Sequence, residues 1–265
     1  MDDNDQRGGV SKIYQHILIF KGDALVVEGA AGAATGGTWL QPHTALSFLL
    51  AARRLLDTTL AIGLAEIVRP IAYLQRHAFE VALKDVTNLA YSVAAGKKWL
   101  EAQSENRNSK PPEPETAKFE HRLPEVEMEA GAALQAIGSS LPDGVKAMVK
   151  RLSEIENKVP DRWRYSTVKD RKPSFPAKTR IPIGKIQDEL ESLFETVFVF
   201  TTLDDARKGD APLFAQLVLE YEAISQRVGE LGAEGALPNK PLQRMWSPQG
   251  HRRRIEAPTW RRPHR

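Results

Sequence analysis

Apolar residues spaced three and four apart constrain this chain more than any other feature. From Pro42 to about Ala65, Leu46, Leu49, Leu50, Leu56, Leu60 and Leu64 recur on that spacing. A helix turns about every 3.6 residues, so such a run lines one face with side chains that prefer to leave water. Five further runs, 70–97, 124–137, 142–158, 183–205 and 211–231, repeat the pattern. Val145, Met148, Val149, Leu152 and Ile155 make one stripe. Ile186, Leu190, Leu193, Phe194, Val197 and Phe198 make another, and Leu213, Phe214, Leu217, Tyr221, Ile224 and Val228 a third. Pro42, Pro70, Pro124 and Pro142 stand at helix starts, where a missing backbone N–H costs nothing. The spacing predicts a mainly α fold, a bundle of about six helices.

The remaining stretches read differently. Residues 13–20 and 24–28 are short, rich in β-branched side chains, and separated by Lys21-Gly22-Asp23. They predict a short N-terminal β-hairpin, although the first run equally suits the start of a helix. Residues 29–38 (GAAGAATGGT) predict a loop. Residues 103–120 carry Pro111, Pro112 and Pro114 among many charges and cannot bury apolar surface. Residues 159–182 are broken by Pro160, Pro173, Pro176 and Pro182. The expected organisation is an extension over 1–41, a helical domain over 42–235 with a Pro-rich insertion at 103–120, and a disordered basic tail over 236–265.

The chain has no cysteine, which removes thiolate metal sites, disulfides and cysteine nucleophiles. Asp2, Asp3 and Asp5 open it, with no basic start leading into an apolar run, so no secretory signal is expected. The most apolar long stretch, 45–68, holds Arg53, Arg54, Asp57 and Glu66, which argues for a buried helix and against a membrane span. The expected location is cytoplasmic. Charge is unevenly spread. Residues 236–265 hold eight Lys or Arg and one acid, +7, which leaves −4 on the other 235 residues of a chain whose net charge is +3.

Catalytic motifs are sparse. Gly32 and Gly37 have the separation of a phosphate-binding loop, but Thr38 stands where its lysine belongs, which favours a linker. His16, His43, His77, His121, His251 and His264 include no two within one helical turn, so no metal site or cofactor is expected. No GxSxG elbow occurs. The second run is more informative. Projected as a helix, it gathers Phe79, Leu83, Val86, Ala90 and Val93 on one side, with Leu74, Ala78 and Val81 adjoining. Tyr73, Arg76, His77, Glu80, Lys84, Thr87 and Asn88 fill the remaining arc. Arg76 with Glu80, and Glu80 with Lys84, are four apart and can pair. The stripe is either one solvated helix edge or the wall of a cleft in which Arg76 and His77 face an anion.

The segment PIAYLQRHAFEVALK, 70–84, resembles a signature of bacterial HEPN-like helical proteins: an apolar stretch, Arg-His, two residues, Glu, and an apolar-Leu-Lys ending. Arg76, His77, Glu80, Leu83 and Lys84 carry the match. His121-Arg122-Leu123 follows after the Pro-rich insertion, and Asp161-Arg162-Trp163-Arg164-Tyr165 matches a later aromatic-Arg-Tyr element. The resemblance spans roughly 46–200. Many HEPN domains are ribonucleases or partners of nucleotidyltransferases in toxin–antitoxin and phage-defence systems, so it implies work on or near RNA. It also allows Arg76, His77 and His121 as catalytic groups, with Tyr73, Glu80, Lys84, Arg164 and Tyr165 around them. The nuclease members use an Arg and a His four to six residues apart on one helix, and this chain departs from that. Arg69 and His77 have seven residues between them. Arg244 and His251 have six, but Pro248 and Gly250 intervene.

The tail offers a second route to nucleic acid. Arg252, Arg253, Arg254, Arg261, Arg262 and Arg265 suit phosphate contacts, and Trp260 and Trp246 offer stacking faces. Two functions stay open: binding or processing of RNA, and a non-catalytic interaction module that dimerises through the bundle.

Overall fold

The computed structural model describes residues 43–62, 67–104, 115–118, 121–156, 180–200, 207 and 211–233. Among them there are six α-helices and no strand. They are α1 (His43–Ile62), α2 (Val68–Ser104), α3 (Leu123–Gln135), α4 (Asp143–Glu156), α5 (Ile183–Leu193) and α6 (Leu213–Ala233). The mainly helical reading is therefore correct. The expected hairpin at 13–28 and the tail at 236–265 lie outside the described residues. No described helix is long and apolar enough to cross a membrane.

Helix α2 is the axis of the bundle. It packs against α1, α3, α5 and α6. Phe79, Ala82, Leu83, Val86, Ala90 and Val93 are buried at its centre, against Leu46 and Leu49 of α1 and Leu123, Val126 and Leu134 of α3, with α6 giving Leu217 and Val218. Phe79, Leu83, Val86, Ala90 and Val93 of α2, Leu46 and Leu49 of α1 and Leu217 of α6 are positions the periodicity picks out. The helix outruns its expected bounds at both ends. Val68 and Arg69 precede Pro70, which still sits in the first turn. At the other end it runs past the expected Lys97, where Trp99 is buried in the core and holds the next turn in place. Gln103 and Ser104, expected in the insertion, complete α2.

The other ends have local causes. Helix α3 stops at Gln135, two residues before the expected Ile137. The N–H of Ser139 donates to the Leu134 carbonyl at 2.9 Å and that of Gly138 to the Gln135 carbonyl at 3.0 Å. This pair of bonds needs a left-handed residue, and Gly138 has φ 79°. Helix α5 was expected to run to Asp205. It widens instead into a π-turn over Phe194–Phe198, and Val199 is extended (φ −106°, ψ 137°). The Thr196 hydroxyl donates back to the Ser192 and Leu193 carbonyls, and Thr196, Val197 and Val199 are β-branched, so this stretch holds a regular helix poorly.

Candidate polar site on the central helix

The polar stripe of α2 is not a solvated edge. Arg76 is 4% exposed, Glu80 1% and Thr87 1%. A charge so deeply enclosed is costly unless it is paired. Each guanidinium nitrogen of Arg76 has a protein acceptor. Nε donates to Glu156 Oε1 at the end of α4. Nη1 donates to Glu80 Oε2 one turn along α2, and Nη2 donates to the His121 carbonyl ahead of α3. Arg76 thus fastens α2, α4 and the entry to α3 at one point.

Glu80 is the second hub. Lys84 Nζ donates to its Oε1 at 2.7 Å, and His121 Nδ1 lies 2.8 Å from the same oxygen. Burial alone would raise the Glu80 carboxyl. The His77 imidazole beside it, the Arg76 charge, and hydrogen bonds from Lys84 and His121 outweigh that and hold it well below the usual carboxylate range. An ionised carboxylate only accepts hydrogen bonds, so Nδ1 of His121 carries the proton in this contact. The His121 side chain is 49% exposed.

His77 stands beside the cluster without closing a hydrogen bond to it. Its Nδ1 is buried with no partner, 4.0 Å from Glu80 Oε2. The ring stacks on Tyr73 (centroids 5.4 Å, planes 10° apart) and takes an edge contact from Phe48 of α1 (4.6 Å). Aromatic packing positions His77, a bond to Glu80 positions His121, and the two imidazoles flank one carboxylate.

Of the residues singled out from the sequence, Arg76, Glu80, Lys84 and His121 meet directly, while Tyr73 and His77 sit alongside. Arg164, Tyr165, Arg252, Arg253, Arg254, Trp260, Arg261, Arg262 and Arg265 lie outside the described residues. The expected pairing of Arg76 with Glu80 and of Glu80 with Lys84 is present. Among the described residues, Arg76, Glu80, Lys84, Glu156 and His121 direct their polar contacts at one another. An open hollow of about 690 Å³ lies elsewhere, between α3 and α4, where Met128, Gly131 and Leu141 line it with Glu127 and Lys146.

Two contributors escaped the sequence reading. Glu156 shares the α4 face of Val145, Val149 and Leu152, and an acid on an apolar stripe was the available signal. A second polar network joins α1, α2 and α5. Gln75 Nε2 donates to the Ile183 carbonyl and to Gln187 Oε1, both at 2.9 Å. Gln187 Nε2 reaches the Leu49 carbonyl and Glu191 Oε1, and Arg53 donates to Glu191 and Asp188. The Glu191 hydrogen bond, opposed by burial and helped by Asp188, holds Arg53 above its ordinary value. Among the described residues no group of His, Asp and Glu is arranged to hold a metal ion.

Compared with protein-family models, with curated proteins and with solved structures, the chain matches none.

Proposed function

We propose that this chain is a HEPN-like helical protein that binds RNA through its arginine-rich tail and does not cut it. One observation carries the second half of that reading: every guanidinium nitrogen of Arg76 is already held by a protein acceptor. A nuclease needs a cation free to hold the phosphate while a neighbouring group moves a proton. Among the described residues, Arg76 and Lys84 are both spent on pairing with the carboxylates Glu80 and Glu156. The large surplus of positive charge sits in 236–265. The resemblance of 70–84 to HEPN-like proteins points to RNA and to a bacterial stress or phage-defence setting.

The test uses a labelled single-stranded RNA, the full chain, and a chain ending at residue 235. The shortened chain is expected to lose at least about tenfold in affinity at 100 mM salt. The RNA should stay intact on a denaturing gel with the full chain and with His77→Ala and His121→Ala alike. Cleavage by the full chain that disappears in His121→Ala would overturn the non-catalytic reading. Equal affinity with and without the tail would overturn the tail as the binding element. A chain that binds no RNA and runs at twice its monomer mass would support the interaction module instead.

A further inference from the structure

Helix α3 buries one side against α2 and α4 and leaves the other open. Pro124, Met128, Ala132 and Gln135 are exposed, and Gly131 is half-buried beside them. Steps of four, four and three residues put them along one side of the helix. Met128 is 70% exposed, and among the described residues no other large apolar side chain stands so open. This side borders the hollow of about 690 Å³ between α3 and α4. The hollow has room at Gly131, where a Cβ would meet only Leu141 Cδ1, at 3.9 Å. One acid and one base stand on it, Glu127 on α3 and Lys146 on α4. Burial pushes the Glu127 carboxyl up and Lys146 draws it back. Lys146 also reaches Asp143 at the surface, at 3.1 Å.

One patch thus holds a protruding side chain, a recess one turn along the same helix, and one charge of each sign. Such a surface complements a twofold copy of itself, because a contact made once across the axis is made again in reverse. We propose that a second copy of this chain seats here, with Met128 of each copy entering the hollow of the other and Glu127 of each pairing with the other's Lys146. An antiparallel crossing of two α3 helices, centred between Glu129 and Ala130, sets Met128 of each on Gly131 of the other and Pro124 on Gln135. Glu127 travels with Met128 to the rim where the other copy's Lys146 stands. A partner carrying charge of one sign alone would leave one of the two rim charges unmatched. Methionine suits the task because its unbranched thioether adapts to an irregular recess. The patch is small, so association is weak, with a dissociation constant on the order of 10 μM. This dimer does not depend on RNA binding by the tail, and each stands if the other fails.

Sedimentation equilibrium on the full chain, freed of RNA by nuclease, tests this from about 1 to 200 μM. The wild-type mass is expected to rise across that range from 29.5 kDa towards twice that value. Met128→Lys should weaken the dimer at least about tenfold. Its thermal melt at the lowest concentration should match the wild type, because the side chain it replaces is exposed. Glu127→Lys and Lys146→Glu should each weaken the dimer at least about fivefold by setting like charges across the axis. An equimolar mixture of those two variants should recover wild-type association, since each copy then supplies the sign the other has lost. A repaired fold within one chain cannot produce that recovery. Wild type at monomer mass throughout would overturn the proposal and leave the hollow to a different partner. Undiminished association of Met128→Lys would overturn it in favour of another face. A mixture no better associated than either variant alone would remove the Glu127–Lys146 pairing and with it the twofold seating.

Discussion

Arg76 shows how much one residue can hold. It is buried, and the groups it pairs lie on three separate stretches of chain. Replacing it with Ala leaves Glu80 and Glu156 enclosed without their shared cation, which costs about 3–5 kcal/mol. Urea unfolding of Arg76→Ala should show this as a lower midpoint with an unchanged slope. Because the Glu80 carboxyl is held down, its contribution is full above the ordinary carboxylate range and is lost only as pH falls through the lowered value. Asp85 behaves oppositely. Burial pushes its carboxyl up from 3.8 to about 7. The unfolded chain ionises first, so this residue's effect turns unfavourable as pH rises from 3.8 to about 7 and then levels off. Asp85→Asn should therefore stabilise the protein above neutrality, by on the order of 2 kcal/mol once partial exposure is allowed for, and bring little gain at pH 4. Thermal melts across that range would check the sign. The pairing of Arg76, Glu80 and Lys84 could be read from the sequence because all three lie on one helix at a spacing of four. Spacing could not place Glu156 or His121, because only the tertiary fold brings chain that distant onto α2; His121 entered through the resemblance alone, and Glu156 showed only as an acid on an apolar stripe.

At the level of elements, periodicity located all six helices, since each must turn one apolar face inward. Their ends were less legible. The second run was expected to end at Lys97 and continues to Ser104, where the Trp99 side chain is buried in the core. The π-turn at Phe194–Phe198 has the same apolar spacing as the helix before it, so periodicity alone does not reveal it. The second polar network was missed because Gln75 and Gln187 each look like one more polar residue until α5 is laid against α1 and α2. Two glycines of the α3 region make opposite predictions. Gly131 lies inside the helix, and an added Cβ would meet only Leu141 Cδ1 at 3.9 Å. Gly131→Ala should raise stability by about 0.5–1 kcal/mol by restraining the unfolded chain. Gly138 adopts φ 79° to end the same helix. Gly138→Ala should lower stability by roughly 1–2 kcal/mol. Chemical denaturation of the two variants side by side would show shifts of opposite sign.

At the scale of the whole molecule, the sequence carries two electrostatic bodies in one chain, +7 over 236–265 and −4 over the rest. Binding of single-stranded RNA through the tail should weaken with salt at a logarithmic slope of about −0.7 per phosphate contact, and no steeper than about −6 if all its Lys and Arg residues engage. A chain ending at residue 235 should show almost no slope in the same titration. The helical part has a different kind of unity, because α1, α3, α5 and α6 all lean on α2. A 37-residue helix is about 55 Å from end to end. A backbone break inside Val68–Ser104 would strand half of that rod in each fragment, whereas a break between Ser104 and Leu123 keeps it whole. Reassembly of the protein from two separately expressed pieces should succeed only at breakpoints of the second kind.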